Sequence, residues 1–195
     1  MYSQTALSSM KGNTDLLPRD IIDFWFAEGM ERLWFNSTTE LDRQIAERFQ
    51  QTWEQAHQGK LRDWASTAEG CLALIIILDQ FPLNMFRGKP ESFATEAQAV
   101  ALAKHAIEQN FDQALAKDQL AFLYMPLMHS EDLDDQNLSV NCFEAAGLEE
   151  NARFARHHRE IIKRFGRFPH RNAILDREST MDELTYLNSP GAFKG

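Results

Sequence analysis

The chain has 195 residues, 44% of them apolar and 25% charged, which is the balance of one globular domain and not of a disordered segment. A formal net charge of −9 argues against a dedicated nucleic-acid binder, because affinity for phosphate backbones comes chiefly from Lys and Arg. The longest apolar run, Cys71 to Leu78, is stopped at once by Asp79 and falls short of the ~20 residues a bilayer span needs, so no membrane partner is expected.

Residues 1–14 lack the basic start and apolar stretch of a secretory signal and are expected to form a flexible polar arm. From residue 15 to 195 a single all-helical domain is expected, since no composition break marks a second one. A first helix begins at Pro18, a favoured first-turn residue, and stops near Gly29. The pattern Ser/Thr-x-x-Glu/Gln, in which two side chains satisfy orphan amides reciprocally, then marks helix starts at Ser37, Ser66, Thr95 and Thr180. After Ser37, the residues Leu41, Ile45, Phe49, Trp53 and Ala56 form a core-facing stripe that runs out at Gly59. The third helix spans Thr67 to Gln80, with Pro82 expected to end it.

A fourth helix covers Glu96 to Asn110. A fifth lies around Asp118 to Met128 and is expected to bend or break at Pro126. The sixth runs from Glu131 to Ala146 with Ser130 as its cap, and the seventh from Leu148 to Phe165, ending at Gly166. A short last helix fits Met181 to Leu187. No segment alternates with period two, so no significant sheet is expected. The fold class is therefore all-α, about eight helices in antiparallel hairpins, either a tetratricopeptide-like superhelix or an irregular bundle. Cys71 and Cys142 both sit in apolar helical contexts and read as free thiols, which suggests a cytoplasmic location.

Three polar clusters interrupt this pattern. The first, Leu78 to Gly88, places Asp79, Asn84 and Arg87 among Phe81, Met85 and Phe86 at a helix junction. The second, Met128 to Asp132, holds His129 and Glu131 at a helix entry. The third is a local reversal of charge: from Arg153 to Arg171 there are seven Lys/Arg, three His and a single acid, Glu160. Within it His158 falls on the apolar stripe with Phe154, Ala155, Ile161, Ile162 and Phe165, while His157 faces outward. After Gly166 the chain leaves the helix through Arg167, Phe168, Pro169, His170, Arg171 and Asn172. Arginine forks there suit carboxylate or phosphate, or they pair internally with Glu131, Asp132 or Asp79.

The sequence lacks the phosphate loops GxGxxG and GxxxxGK[ST], the zinc helix HExxH and the nucleophile elbow GxSxG. Whether a cofactor is used is unknown from the sequence; His129, Glu131, His158 and His170 are of metal-ligating type, but their spacing is no recognised metal-ligand pattern.

The strings IIDFWF (Ile21 to Phe26), LWF (Leu33 to Phe35), LDQFP-NMFRG, FAT (Phe93 to Thr95), MHSED, RFGRFPHRN and REST (Arg177 to Thr180) resemble the domain-of-unknown-function 924 family, mostly bacterial proteins. The resemblance extends from about Leu16 over nearly the whole chain. It implies an all-α fold similar to tetratricopeptide-like superhelices and carries over no site residues. This chain has Leu83 where the family usually has Arg, and Asp176 where it usually has Gly, so the turn before the last helix is not expected to need a positive φ.

Two functions fit these clusters. In one, a small anionic ligand binds where they meet: Arg167 and Arg171 hold the anion, His129 or His170 handles protons, and Asn84, Arg87 and Asn172 line the site. Asp79, Glu131 and His158 then orient those groups. In the other, the helices form a scaffold for a peptide or protein, the polar clusters lock helix ends, and no enclosed pocket is present.

Overall fold

A computed structural model describes residues 16–194, so the arm expected over residues 1–14 lies outside the described residues. Among the described residues there are eight helices and no strand. In chain order they are α1 (Pro18–Trp25), α2 (Thr39–His57), α3 (Ala68–Met85), α4 (Glu96–Glu108), α5 (Lys117–His129), α6 (Leu133–Ala145), α7 (Glu149–Phe165) and α8 (Met181–Leu187). α3 is the central element, with α1, α2, α4 and α5 packed around it. From α4 to α7, each helix packs on its neighbour in the chain.

α3 is apolar on all sides because the core surrounds it. Cys71 to Leu78 and Phe81 are each at most 3% exposed. By length and a mean hydropathy of 1.3 this 18-residue helix passes for a membrane span, yet 78% of it is buried inside the fold. Around it Trp25, Phe49, Phe81 and Phe122 meet edge-on or stacked, with ring centroids 4.8–5.6 Å apart.

Pro82 does not end α3, contrary to the expectation from sequence. A proline deprives the carbonyl four residues back of its N–H partner, here that of Leu78. Thr95 supplies the missing donor: its hydroxyl donates to the Leu78 carbonyl at 2.6 Å and accepts from the Trp53 indole at 3.2 Å. Before the proline, Ile76–Gln80 widens into a π-helical turn, which carries Asp79 and Gln80. In α5 the helix likewise continues through Pro126 to His129.

The caps move by small steps with chemical reasons. α2 and α3 are capped by Thr38 and Thr67 instead of Ser37 and Ser66, whose hydroxyls are used elsewhere. Thr95, committed to Leu78, makes no side-chain cap for α4. α6 is capped by Asp132 and not Ser130, because the Asp132 carboxylate accepts from both Asp134 and Asp135 amides. Only Thr180 builds the expected full box with Glu183. α1 ends earlier than expected, at Trp25, and a short 3-10 turn follows at Met30–Arg32. Phe154, expected on the core face of α7, is 44% exposed and lies under the Arg153 guanidinium.

A second, smaller apolar cluster forms beyond α7, where Ile161, Ile162 and Phe168 pack with Phe165, Tyr186 and Phe193. Gly166 turns the chain there with φ 69°, followed by the 3-10 turn Pro169–Arg171. Asp176 has φ 52°, against the expectation that this turn avoids a positive φ. The turn is set by backbone bonds from Leu175 and Arg177 back to Arg171 and Asn172, and aspartate is among the few side chains that tolerate the left-handed region.

Candidate functional site

A cavity of about 500 Å³ opens between α3, the start of α4, the end of α5 and the C-terminal segment. Its walls are aromatic and its floor is polar. The π-helical turn of α3 aims Asp79 at the last residue of α5. The Asp79 carboxylate accepts from His129 Nδ1 at 2.9 Å through Oδ1 and from Gln80 Nε2 at 2.6 Å through Oδ2. Asp79 is 3% exposed and His129 20%, so the pair faces the cavity and not bulk water. Burial by itself favours the neutral imidazole, but Asp79 and then Glu96 outweigh it, and the His129 pKa lies above its ordinary value. With Nδ1 committed, Nε2 is the remaining polar atom of His129.

Beside this pair stands a second. Arg171 donates to Glu96 Oε2 at 2.8 Å and to the His129 carbonyl at 2.9 Å. Its guanidinium is stacked between Phe93 and Phe168, 4.6 Å from each ring centre. Burial raises the Glu96 carboxyl pKa, with Asp79 and Glu131 adding to the rise, and neither Arg171 nor His129 cancels it. The floor thus holds an imidazole and a carboxyl, both shifted upward, on one cavity.

His158 and His170 form one flank. His158 Nδ1 donates to the Phe154 carbonyl at 2.8 Å, which leaves Nε2 as an acceptor, and the ring packs 4.3 Å from Phe193. Burial drives its pKa down to about 3 and that of His170 to about 4, so both are neutral near pH 7. At the opposite edge Ser37, Asn84 and Arg87 gather around Asp42.

The structure brings together Asp79, Asn84, Arg87, His129, His158, His170 and Arg171 on the cavity. Glu131, Arg167 and Asn172 do not line it; they belong to an adjoining lock. There Arg177 grips Glu131 with two N–H bonds of 2.6 and 2.9 Å, and the Phe168 amide donates to the same carboxylate at 2.8 Å. Asn172 Oδ1 accepts from Arg177 Nε. Arg167 grips Glu183 at 2.7 and 2.9 Å, and this carboxylate also closes the cap of α8. The pairings expected for Arg167 and Arg171 with Glu131, Asp132 or Asp79 are therefore corrected. Arg177 takes Glu131, Arg167 pairs with Glu183 and Arg171 with Glu96.

Several residues of the site escape sequence reasoning. Glu96 reads as an ordinary acid favoured by a helix N-terminus. Trp34, Phe35 and Phe93 line the cavity too. Their signal was present in the strings LWF and FAT, which have no periodic role in any helix.

No curated protein matches the chain. A solved structure, the protein of unknown function ATU0120 from Agrobacterium tumefaciens, is similar with 39% identity and a TM-score of 0.83, covering 88% of this chain and 96% of that one. The model of a family described as bacterial protein of unknown function, DUF924, matches residues 21–191. The RFGRFPHRN string, the MHSED turn and the helical frame that joins them on one cavity thus have a common origin: the chain belongs to the DUF924 family.

Proposed function

We propose that the protein is an enzyme that encloses a small organic molecule and moves a proton to or from it through His129. One observation carries this reading: the Asp79 carboxylate fixes His129 through Nδ1 at 2.9 Å on the wall of a cavity. A buried acid that holds an imidazole by one nitrogen sets its orientation and leaves the other nitrogen free for proton transfer. Glu96, with its raised pKa, stands on the same floor as a second group able to give or take a proton.

Catalysis by a serine or cysteine nucleophile is disfavoured by the same geometry. Neither cysteine lines the cavity, and the hydroxyls of the two lining serines, Ser37 and Ser92, donate to Asp42 and to the Phe86 carbonyl. The chemistry supported is a hydrolytic or isomerising step run by general acid and base. The scaffold reading expects no enclosed pocket, and the 500 Å³ cavity weighs against it. A cytoplasmic location belongs to the same proposal, supported by Cys71 and Cys142 as free thiols.

The test is untargeted mass spectrometry of a bacterial small-molecule extract incubated with wild-type protein or with His129→Gln. The wild type should consume at least one compound with growth of a product, while the variant slows this by ~10²–10⁴-fold. Equal conversion by both proteins, or none by either, would overturn the reading.

A further inference from the structure

The Asp79–His129 chemistry leaves one polar group of the cavity unexplained, the corner of Ser37, Asp42, Asn84 and Arg87. Asp42 Oδ1 accepts from Ser37 Oγ at 2.7 Å, Asn84 Nδ2 at 2.7 Å and Arg87 Nη2 at 3.0 Å; Oδ2 accepts from Arg87 Nε at 2.8 Å. Both oxygens of the carboxylate are therefore engaged. It holds the guanidinium by its Nε/Nη2 edge and stands outside the cavity, whereas Arg87 lines it. A guanidinium has a second edge, Nη1/Nη2, on which Nη1 and the second Nη2 hydrogen have no protein partner among the described residues.

A pair that served only to fasten α2 to α3 has no need of Asn84 and Ser37 on the same carboxylate. Their effect is to fix where the Arg87 fork sits, which lowers the entropy cost of gripping a second anion. Charge along the cavity points the same way. The floor has two carboxylates, Asp79 and Glu96, against Arg171 and His129, while the edge presents Arg87 and Lys194. The lining also has apolar surface, Leu83 and Phe35 included, the latter 73% exposed.

We infer that Arg87 is the anion-recognition residue of the cavity. Its ligand is an organic molecule with an oxyanion head, held end-on by the free guanidinium edge, and a flat apolar body lying against Phe35 and Leu83. This rests on the cavity being a ligand site, as the proposed function requires, and it assigns the head-group specificity to Arg87 and not to Arg167, which does not line the cavity, or to Arg171, whose Nη1 and Nη2 hold Glu96 and the His129 carbonyl.

Two dyes of similar body separate the claims: 1-anilinonaphthalene-8-sulfonate carries an oxyanion, and N-phenyl-1-naphthylamine does not. Fluorescence titration should show one saturable site for each. Losing a charge-assisted contact in Arg87→Met should weaken the sulfonate about tenfold and the neutral dye less than twofold. Inorganic phosphate should displace the sulfonate, but not the neutral dye, from the wild-type protein, a result independent of how the variant folds. Equal weakening of both dyes, no weakening of either, or no displacement by phosphate would refute the assignment to Arg87. A failed conversion assay with intact dye binding to the wild type removes only the catalytic reading. If neither dye binds the wild type, the assignment to Arg87 falls, and the conversion assay alone decides the catalytic reading.

Discussion

The cavity floor and the C-terminal lock are built from the same kinds of pair and differ in what they leave unfilled. In the lock, both oxygens of Glu131 and of Glu183 are taken, each carboxylate holding an arginine fork and one backbone amide. On the floor, among the described residues, only one oxygen of Glu96 has a protein partner, His129 uses one ring nitrogen, and Arg171 Nε is buried without an acceptor. Saturated pairs hold backbone in place, since they have no valence to offer. Unsaturated ones, enclosed by aromatic rings, keep a desolvation cost that a ligand can relieve. Charge reversal in the sequence marks both regions alike, and only the count of open valences tells them apart.

The sharpest way to break that contrast is to open the lock. Arg177→Ala strands Glu131, which is only 26% exposed, and removes the bond to Asn172. A loss of about 2–4 kcal/mol in urea unfolding is expected, below the full cost of a buried pair because both side chains are part-exposed. Dye binding in the cavity should persist at temperatures where the variant is folded. A change of under ~0.5 kcal/mol would mean that the pair is ornamental, as many exposed ion pairs are.

Acidity separates the regions next. His158 and His170 are held neutral by burial, at about 3 and about 4. The unfolded chain takes up protons near 6.5, so stability falls as pH drops from there toward 4. In the lock, Arg167 and the Thr180 amide hold Glu183 down at about 2, and its contribution is lost as pH falls below the usual carboxylate range. His129 runs the other way. Its raised pKa stabilises the fold at low pH, and this contribution disappears as pH rises through the folded value. His158→Gln should remove about 2–3 kcal/mol of the loss between pH 6.5 and 4. Unfolding free energies measured across that range for both proteins check this, and parallel profiles would refute it.

The helical frame was legible because its signals are local: a proline start, a Thr180 box, a stripe from Leu41 to Ala56, a glycine after Phe165. What failed depended on partners remote in sequence. Pro82 looked terminal because the hydroxyl that replaces its missing donor comes from Thr95. Glu96 looked like a dipole-favoured acid because its partner, Arg171, is 75 residues away. Asp79 and His129 stand out in the sequence because both residue types fall at helix junctions, but nothing local tells which arginine is free. Arg167 and Arg171 are the obvious forks, yet Arg167 does not line the cavity and both Nη atoms of Arg171 are engaged; Arg87 is half-spent, by an acid at position 42 that carries no signal.

The smallest expected effect probes the lock's own geometry. Asp176 holds a left-handed conformation at φ 52° between Asn172 and Arg177, the two residues that must meet for the Glu131 grip to form. Glycine removes the Cβ clash of that region but adds chain entropy to the unfolded state, and the two terms nearly offset. Asp176→Gly should therefore change stability by no more than about 0.5 kcal/mol in either direction. Thermal melts of the two proteins would settle the point. A gain well above 1 kcal/mol would show that the Arg177–Glu131 lock is assembled against backbone strain, and that part of its bond energy goes into holding this turn.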